Sequence, residues 1–396
     1  MGQAHFAVFW LLAVQLMTVL PQAQAKTTLA DGKIVIGETI TVHSKHLNRG
    51  MTIDVCLPQD YAGGEKRYPL LLTCQSHFLH ISGIAADLAR RGSAPEMIVA
   101  GVRNYSSDDF IPEKISGHPY SGGADRFISF FHDELIPNLD ERYRTRPFRI
   151  FYSGSFGGGF AVYAFLTRPD VFNACLAAAP AIDYEGGSNL IMSNARSWLA
   201  QNAYRNRFLY MGVENEPRLI PLLERLSSLI GQAAPPGLRW RYRPYLDEDH
   251  TSIVNQVVHH GLRFVFSATS DIPADIIGRG SDAIREYAAG LAAAFGYDIG
   301  LTDIAFHRAV NAYMEQERIN DAIGLLHFQL QFKPDAELAW LSLGRAYEAN
   351  GQLAAARTAL RYAREKAMAN SSPHLGIFTA ALDQIEQKLA KQPEAK

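Results

Sequence analysis

Short apolar runs alternate with helical stretches between about residues 33 and 266, and few folds accommodate this pattern. A run such as 68–74 is apolar almost without interruption, which is typical of a strand buried on both faces of a parallel sheet. Eight runs are predicted to be strands: residues 33–43, 51–57, 68–74, 97–102, 148–153, 174–179, 208–213 and 239–246. The stretches predicted to be helices are residues 84–91, 124–143, 158–167, 196–202 and 217–230. The alternation predicts an α/β domain in residues 26–266, with a mostly parallel eight-stranded sheet covered by helices.

Composition restricts the class of protein further. Hydrophobic residues make up 47% of the 396 residues and charged residues 20%, as in a globular protein. The formal net charge is −2, which gives no electrostatic reason to expect nucleic acid or an anionic membrane as a partner.

The N-terminus has the pattern of a secretory signal peptide. Residues 6–20 are apolar apart from Gln15 and Thr18, and a small-x-small cleavage site follows at Ala23-Gln24-Ala25. The run is shorter than the ~20 residues that cross a bilayer, so we expect residues 1–25 to be removed and no permanent membrane span to remain. The protein is therefore expected to be exported, to a periplasm or beyond it. An uncleaved N-terminal anchor is the alternative.

The cysteines and histidines do not indicate a metal centre. Cys56, Cys74 and Cys175 are odd in number in a large chain, so they do not form a disulfide scaffold. Neither a C-x-x-C nor an H-E-x-x-H motif is present. We expect packed thiols, no structural metal and no cofactor.

The C-terminal part of the chain has a different composition. Residues 267–282 are rich in Ser, Thr, Asp, Pro and Gly and are predicted to be a linker, and residues 283–396 are helical in pattern. A 34-residue period relates positions 340, 343, 344, 347, 351, 356, 360 and 363 to positions 306, 309, 310, 313, 317, 322, 326 and 329. This is the length of a tetratricopeptide (TPR) repeat, and it predicts a small all-α TPR-like domain. A generic helical hairpin with chance spacing is the alternative. The region could bind a protein or peptide, self-associate, or brace the α/β domain.

The strongest local motif is Ser153-Gly154-Ser155-Phe156-Gly157-Gly158-Gly159. It follows an apolar strand and opens an apolar helix, which is the setting of a nucleophile elbow with the pattern G-x-S-x-G. Ser153 stands at the first glycine and Gly157 at the second, so Ser155 is the predicted nucleophile. A phosphate-binding loop would need a lysine that this motif lacks.

A histidine and a carboxylate should complete the catalytic group. His250 follows the last predicted strand in a polar loop and is the predicted base, whereas His259 and His260 fall within the next helix. Glu214 and Glu216 both follow strand 208–213 and are candidates for the acid that orients the histidine, with Glu216 preferred. Asp247 and Asp249 are the less favoured alternatives.

Two N–H donors should stabilise the oxyanion of the reaction. One is the backbone amide of Phe156, and the other is expected from the loop after strand 68–74, at Gln75, Ser76 or His77. The loops at residues 75–80 and 103–121 are expected to bind substrate, through His77, Arg103, Asn104 and Tyr105. Arg103 could recognise an anionic group or form a surface ion pair.

These motifs resemble the serine esterase family that includes enterochelin (siderophore) esterases, esterase D-type enzymes and mycolyltransferases, over about residues 38–266. The carriers are residues 95–99 (PEMIV), 122–127 (GGADRF), 134–137 (ELIP), 143–145 (YRT), 155–158 (SFGG) and 249–252 (DHTS). The resemblance implies an α/β-hydrolase fold and a Ser-His-acid esterase without a cofactor, with the acid at Glu216. Members with appended TPR-like helices are the most similar.

Two departures from the family pattern affect specificity. The family elbow reads G-H-S-F-G-G, and Ser153-Gly154 occupy the G-H positions here. An Asp-Gly pair after the third strand is replaced by Gln75-Ser76, so siderophore specificity is not carried over. The expected function is hydrolysis of a small-molecule carboxylic ester through an acyl-enzyme. A non-catalytic TPR scaffold with a degenerate hydrolase domain and an acyltransferase stay open, since a transferase uses the same acyl-enzyme.

Overall fold

The computed structural model of the chain describes residues 29–30, 33–74, 77–116 and 120–391. The predicted signal peptide, residues 1–25, lies outside this part of the chain. The described residues divide into two compact units, one of residues 36–312 and a second that contains residues 313–391.

The first unit is built on an eight-stranded sheet. Its strands are β1 (Glu38–Ser44), β2 (Arg49–Cys56), β3 (Tyr68–Thr73), β4 (Ile98–Val102), β5 (Thr145–Gly154), β6 (Ala174–Ala178), β7 (Arg207–Val213) and β8 (Leu238–Pro244). Their order across the sheet is β8-β7-β6-β5-β3-β4-β2-β1. β2 pairs antiparallel with β1 and β4, and every other pairing is parallel. The expected α/β architecture is confirmed, with a sheet that is mostly parallel but mixed.

The position of each strand in the sheet follows from its sequence. All six residues of β3 are buried, because a central strand with both faces covered needs apolar side chains throughout. β8 is the last strand at one end of the sheet, and its side chains alternate between exposed and half-buried. Arg239, Arg241 and Arg243 are exposed, whereas Trp240 and Tyr242 are half-buried. The predicted strand 33–43 is in fact two strands, since Lys33–Ile34 pairs with Leu29–Ala30 in a separate small sheet.

Helices cover both faces of the sheet. They are α1 (Phe78–Arg90), α2 (Ala124–Ser129), α3 (Ile136–Arg142), α4 (Phe156–Thr167), α5 (Leu190–Gln201), α6 (Leu219–Ala233) and α7 (Ile253–Val265). A π-helical segment, Phe130–Leu135, joins α2 to α3. Pro137 follows it, and because proline has no N–H and its ring collides with the carbonyl four residues earlier, the preceding turn widens.

The core around α4 fixes the start of that helix. An aromatic cluster joins α2, the π-helical segment, β5 and α4, with the centroids of contacting rings 4.9–6.4 Å apart: Phe127, Phe131, Phe151, Phe160 and Phe172. All five side chains are fully buried. Burying one such ring stabilises the fold by about 1.5–3 kcal/mol, so the junction between β5 and α4 is rigidly held.

The stretch after residue 266 differs from the prediction. The predicted linker 267–282 contains two short helices, α8 (Ser267–Ser270) and α9 (Ala274–Arg279). They are followed by α10 (Ser281–Phe295) and α11 (Asp303–Glu315). The boundary between the compact units falls within α11, at residue 313, and not in the predicted linker. The ring centroid of Phe295 in α10 lies 4.9 Å from that of Phe148 in β5. This contact explains why α10 belongs to the α/β unit.

The second unit is helical. It continues with α12 (Ile319–Phe332), α13 (Glu337–Ala349), α14 (Leu353–Ala369) and α15 (Leu375–Ala390). Leu341, Leu360, Phe378, Leu382 and Ile385 lie in its core. A Cβ atom on Gly344 of α13 would lie 2.6 Å from Leu360 Cγ of α14, so a small residue allows this close packing. Over the described residues, every helix is too short or too polar to cross a membrane.

Candidate active site

Ser155 occupies the sharp turn between β5 and α4. Its backbone has φ 56° and ψ −125°, a conformation that a residue with a side chain adopts only at a cost of about 1–3 kcal/mol. Three backbone hydrogen bonds hold it: Ser155 N donates to Ala178 O at 2.9 Å, and Ser155 O accepts from Gly159 N at 3.0 Å and Ala181 N at 3.1 Å. Ser155 is half-buried, whereas residues 151–154 of the strand before it are buried.

Glycine is required in the first turn of α4 because other atoms lie very close. A Cβ atom on Gly157 would lie 2.0 Å from Ser153 Oγ, and one on Gly158 would lie 2.7 Å from Ala178 O. Ser153 itself is fully buried beneath this turn, and its hydroxyl has no hydrogen-bond partner. Ser153 therefore packs the strand against the helix, and Ser155 is the more exposed of the two serines.

His250 and Glu214 form a hydrogen-bonded pair. Nδ1 of His250 lies 2.7 Å from Oε1 of Glu214. The Glu214 side chain is 6% exposed and the His250 side chain 62%. A buried carboxylate therefore forms a hydrogen bond with Nδ1 of an imidazole ring that is mostly exposed to solvent. The hydrogen bond to Glu214, followed by its charge and those of Glu216 and Asp249, raises the pKa of His250, against a smaller opposing effect of burial.

Glu216 makes no hydrogen bond or ion pair with the histidine. Its amide donates to Glu214 O at 2.7 Å, which closes a tight turn, and its carboxylate accepts the Arg218 amide at 3.1 Å. The geometry therefore favours Glu214 over Glu216, which is the reverse of the preference drawn from the sequence and from the family pattern. Asp249 is also turned away, since its carboxylate accepts the amides of Thr251 and Ser252 at 2.8 Å.

The carboxyl ends of three parallel strands bring these groups to the same edge of the sheet. Ser155 follows β5, Glu214 follows β7 and Tyr245 to His250 follow β8, and all three strands run in the same direction. Backbone hydrogen bonds tie the loops together beyond the strand ends: Ala179 N to Gly212 O at 2.7 Å, Tyr245 N to Val213 O at 2.8 Å and Asn215 N to Glu248 O at 3.4 Å. Among the described residues no hydrogen bond joins the Ser155 hydroxyl to His250. Such bonds often tighten only when substrate is bound.

The predicted oxyanion donors lie only partly within the described residues. Phe156 is the first residue of α4, and the first amides of a helix have no partner within it, so this N–H is available. Gln75 and Ser76 lie outside the described residues. His77 is half-buried and immediately precedes α1.

Arg103 and Asn104 are engaged with the protein itself. Arg103 makes a forked ion pair with Asp54 on β2, with its nearest distance 2.7 Å. The Asn104 side chain accepts from Thr52 N at 2.7 Å and donates to Gly50 O at 2.8 Å. Both side chains thus extend the pairing of β2, and the ion pair was the alternative expected for Arg103.

Tyr105 lies nearer to the elbow. Its ring centroid lies 5.0 Å from that of Phe110, with the two rings tilted by 44°, and Phe110 Cζ lies 3.4 Å from the Cβ position of Gly157. Burial raises the pKa of Tyr105, which keeps the phenol neutral. Of the predicted substrate-binding residues, Tyr105 is therefore linked through Phe110 to the first turn of α4.

One interaction at this edge is absent from the sequence-based prediction. Arg218, after β7, holds both carboxylate oxygens of Asp183, after β6, at 2.8 Å. The two residues are 35 positions apart, and their only sequence signal is that each follows a parallel strand. We call this pair the loop clamp, because it joins the loop of Glu214 to the loop whose Ala181 amide contacts Ser155.

The three cysteines are packed side chains and not reactive groups. Cys74 and Cys175 are buried, Cys56 is partly buried and all three are free thiols. Burial raises the pKa of Cys74 and of Cys175, so neither thiol is activated. In the part of the chain that the structure describes, no set of three or more His, Cys, Asp or Glu side chains is arranged to hold a metal ion.

The family model described as "Putative esterase" matches residues 44–252, which is more than half of the chain. The chain belongs to this esterase family. Ferri-bacillibactin esterase BesA of Bacillus subtilis is 24% identical over 164 residues, which cover 39% of this chain and 56% of that protein. The siderophore enterobactin esterase of Emericella nidulans is 25% identical over 194 residues, covering 40% and 62%.

The alignments cover less than two thirds of either relative's length. Among solved structures, an IroE-like serine hydrolase from Shewanella oneidensis has a TM-score of 0.63 and 21% identity, and the match covers 75% of this chain and 99% of that one. This likeness supports the fold of the esterase-family chain.

Proposed function

We propose that this member of the esterase family is a carboxylic ester hydrolase with Ser155 as nucleophile, His250 as base and Glu214 as the supporting acid. The observation that carries the proposal is the combination of Ser155 in a strained turn before α4 with the 2.7 Å His250–Glu214 pair at the same edge of the sheet. A half-exposed serine in that turn has no evident structural role, whereas the buried Ser153 has one.

The reaction follows from these positions. Ser155 Oγ attacks the ester carbonyl while His250 Nε2 takes its proton, and the negative charge that develops on the carbonyl oxygen is stabilised by the Phe156 amide. The bond to the alcohol breaks as His250 returns the proton to the leaving oxygen. Water then attacks the acyl-enzyme with His250 again as base, which releases the acid and restores the serine. Glu214 keeps the ring in the tautomer with a proton on Nδ1 and stabilises the imidazolium.

The proposed substrate is a small-molecule ester. Curated relatives are named as esterases of siderophores, but Gln75-Ser76 replaces the family's Asp-Gly pair, so a siderophore is not assigned here. We further propose export directed by residues 1–25 and a TPR-like domain in residues 283–396; both proposals rest on sequence patterns. No observation favours the scaffold or transferase alternatives.

Covalent labelling tests the nucleophile directly. A fluorophosphonate probe reacts with an activated serine, and intact-mass measurement counts the adducts. We expect one adduct on the wild-type chain and on Ser153→Ala, and none on Ser155→Ala. Ser153→Ala is the matched control because it removes a hydroxyl two residues away that has no hydrogen-bond partner. Absence of an adduct on folded wild-type protein would overturn the proposal.

A further inference from the structure

The loops around the candidate active site carry acidic side chains without basic partners. In the described part of the chain none of the following makes an ion pair with Lys or Arg: Glu113, Glu185, Glu216, Asp247 and Asp249. They lie in the loops that follow β4, β6, β7 and β8, at the edge of the sheet where Ser155 and His250 lie. We call these five residues the carboxylate rim.

The basic side chains near the same loops have carboxylate partners of their own. Arg103 pairs with Asp54 at 2.7 Å and Arg218 with Asp183 at 2.8 Å. Asp108 accepts a hydrogen bond from Arg126 at 3.0 Å, and the same carboxylate forms a longer ion pair with Lys114 at 3.8 Å. The loop residues outside the described ranges, 75–76 and 117–119, add only His118 as an ionisable side chain.

The side chains of Arg241 and Arg243 on β8 pack against aromatic rings. Arg241 lies over the ring of Phe264 at 4.9 Å and Arg243 over that of Tyr245 at 4.8 Å. Both guanidinium groups are therefore held against the flank of the sheet that α7 covers. Arg103 and Arg218 are thus each paired with a carboxylate and Arg126 and Lys114 share one, whereas none of the rim carboxylates has a Lys or Arg partner.

Several rim residues act on the reacting groups. The charges of Glu216 and Asp249 both raise the pKa of His250. Hydrogen bonds from Ser252 and Thr251 lower the pKa of Asp249 to about 2, so this side chain is ionised throughout the neutral range. On the nucleophile side, the charge of Glu113 acts on Tyr184, whose ring lies 6.1 Å from that of Phe156.

We propose that the carboxylate rim makes this active site select cationic over anionic esters, with neutral esters between them. The inference rests on the proposed function and specifies its substrate class. A unit charge ~10 Å from a charged substrate changes the binding constant about twofold in water. Several rim charges at such distances, partly screened by salt, separate a +1 from a −1 substrate by about tenfold at low ionic strength.

The test compares three p-nitrophenyl esters with six-carbon acyl chains that differ in terminal charge: the neutral hexanoate, the anionic adipate and the cationic 6-trimethylammonio-hexanoate. All release the same chromophore, and kcat/KM is measured on the full chain at low salt and at 0.5 M NaCl. We expect kcat/KM for the cation to exceed that for the anion by about tenfold at low salt. Because salt screens the rim, the ratio should fall several-fold at high salt while the neutral ester changes little.

Charge-removing variants locate the effect. Glu216→Gln and Glu113→Gln should each reduce the cation-to-anion ratio about two- to fourfold, because each lost charge acts in opposite directions on the two esters. Glu141→Gln removes the same charge from the exposed surface of α3, just before β5 begins and so at the opposite edge of the sheet, and should leave the ratio unchanged.

The outcomes separate the two proposals. Hydrolysis of the neutral ester with a cation-to-anion ratio of one or below, or a ratio that neither salt nor the rim variants change, overturns the charge selectivity. A fluorophosphonate adduct on Ser155 without hydrolysis of the cationic ester overturns it as well. Absence of the adduct overturns the proposed function and this inference with it.

Discussion

At the scale of single residues, Glu214 is the group on which the proposed base depends. It is buried and contacts His250 Nδ1, whereas Glu216 is turned toward the Arg218 amide. Replacing the buried carboxylate by an amide leaves the shape of the site but no longer fixes the tautomer or balances the imidazolium. We expect Glu214→Gln to lower kcat/KM for p-nitrophenyl hexanoate by about 10²–10⁴-fold.

Glu216→Gln is the matched comparison for that variant. It changes the same residue type two positions away, and we expect a loss below about threefold on the neutral ester. Circular dichroism would show that both variants are folded. A larger loss in Glu216→Gln than in Glu214→Gln would restore the sequence-based preference for Glu216.

The pH dependence of the reaction follows from the same pair. His250 must be neutral to accept a proton, and its hydrogen bond to Glu214 raises its pKa above the ordinary value of 6.5. Activity should therefore fall as the pH drops through a value above 6.5, and in Glu214→Gln this acidic limb should move to lower pH. Measuring kcat/KM from pH 5 to 9 for the wild-type protein and for Glu214→Gln locates the acidic limb of each. An acidic limb that stays in place in Glu214→Gln would contradict the assignment.

The choice between these two glutamates also shows which part of the site could not be predicted from the sequence. Ser155 and His250 could be singled out because each stands in a local pattern: a strand, a turn of small residues and a helix for one, and a polar loop after the last strand for the other. Glu214 and Glu216 follow the same strand and differ only by a turn, in which Glu216 N donates to Glu214 O at 2.7 Å. That turn reverses the direction of the chain, and no residue type in the segment specifies it.

At the scale of structural elements, the loop clamp holds two loops that the sheet alone does not fix. The Asp183 loop contains Ala179, Tyr184 and Glu185 at φ of 44°, 45° and 61°, so it is strained and needs external support. Arg218→Gln and Asp183→Asn should each lower kcat several-fold with KM little changed, because they loosen the Ser155 and Glu214 loops without touching substrate.

The double variant distinguishes a clamp from two separate contributions. If the pair acts as a unit, the combined loss should be close to that of either single variant, with a coupling of about 0.5–1 kcal/mol for a partly exposed pair. Steady-state kinetics of the four proteins completes the cycle. Strictly additive losses would show that the two residues act independently.

The elements themselves were predictable where their patterns were long or fully apolar. Strands β3 to β7 and helix α4 were found within a few residues of their observed ends, since buried apolar runs have few alternatives. The segment 267–282 was not, because its Ser, Pro and Gly content is typical of a linker. The short helices α8 and α9 form there beside α10, whose Phe295 is anchored on Phe148.

At the scale of the whole molecule, the family match at residues 44–252 lies inside the first compact unit, and the helices after residue 313 form the second. The second unit offers its own test of packing. Gly344→Ala places a methyl group 2.6 Å from Leu360 Cγ and should destabilise this unit by about 1–3 kcal/mol.

Gly376→Ala is the control for that substitution. It lies in α15 with no atom within 4 Å of its Cβ position, and it should stabilise the helix by about 0.5–1 kcal/mol through reduced chain entropy. Chemical denaturation followed by circular dichroism measures both changes. Equal effects of the two substitutions would contradict the close approach of α13 and α14.

The arginines of β8 have a consequence for how copies of the protein meet. A strand at the end of a sheet offers unpaired backbone groups on which another strand can add, and this is a common route to aggregation. Here three guanidinium groups stand exposed at alternate positions of that strand, and each is charged at any pH at which the protein is folded. Two copies that aligned their β8 edges would bring these like charges into register. The sheet is therefore protected against growing from one molecule into the next.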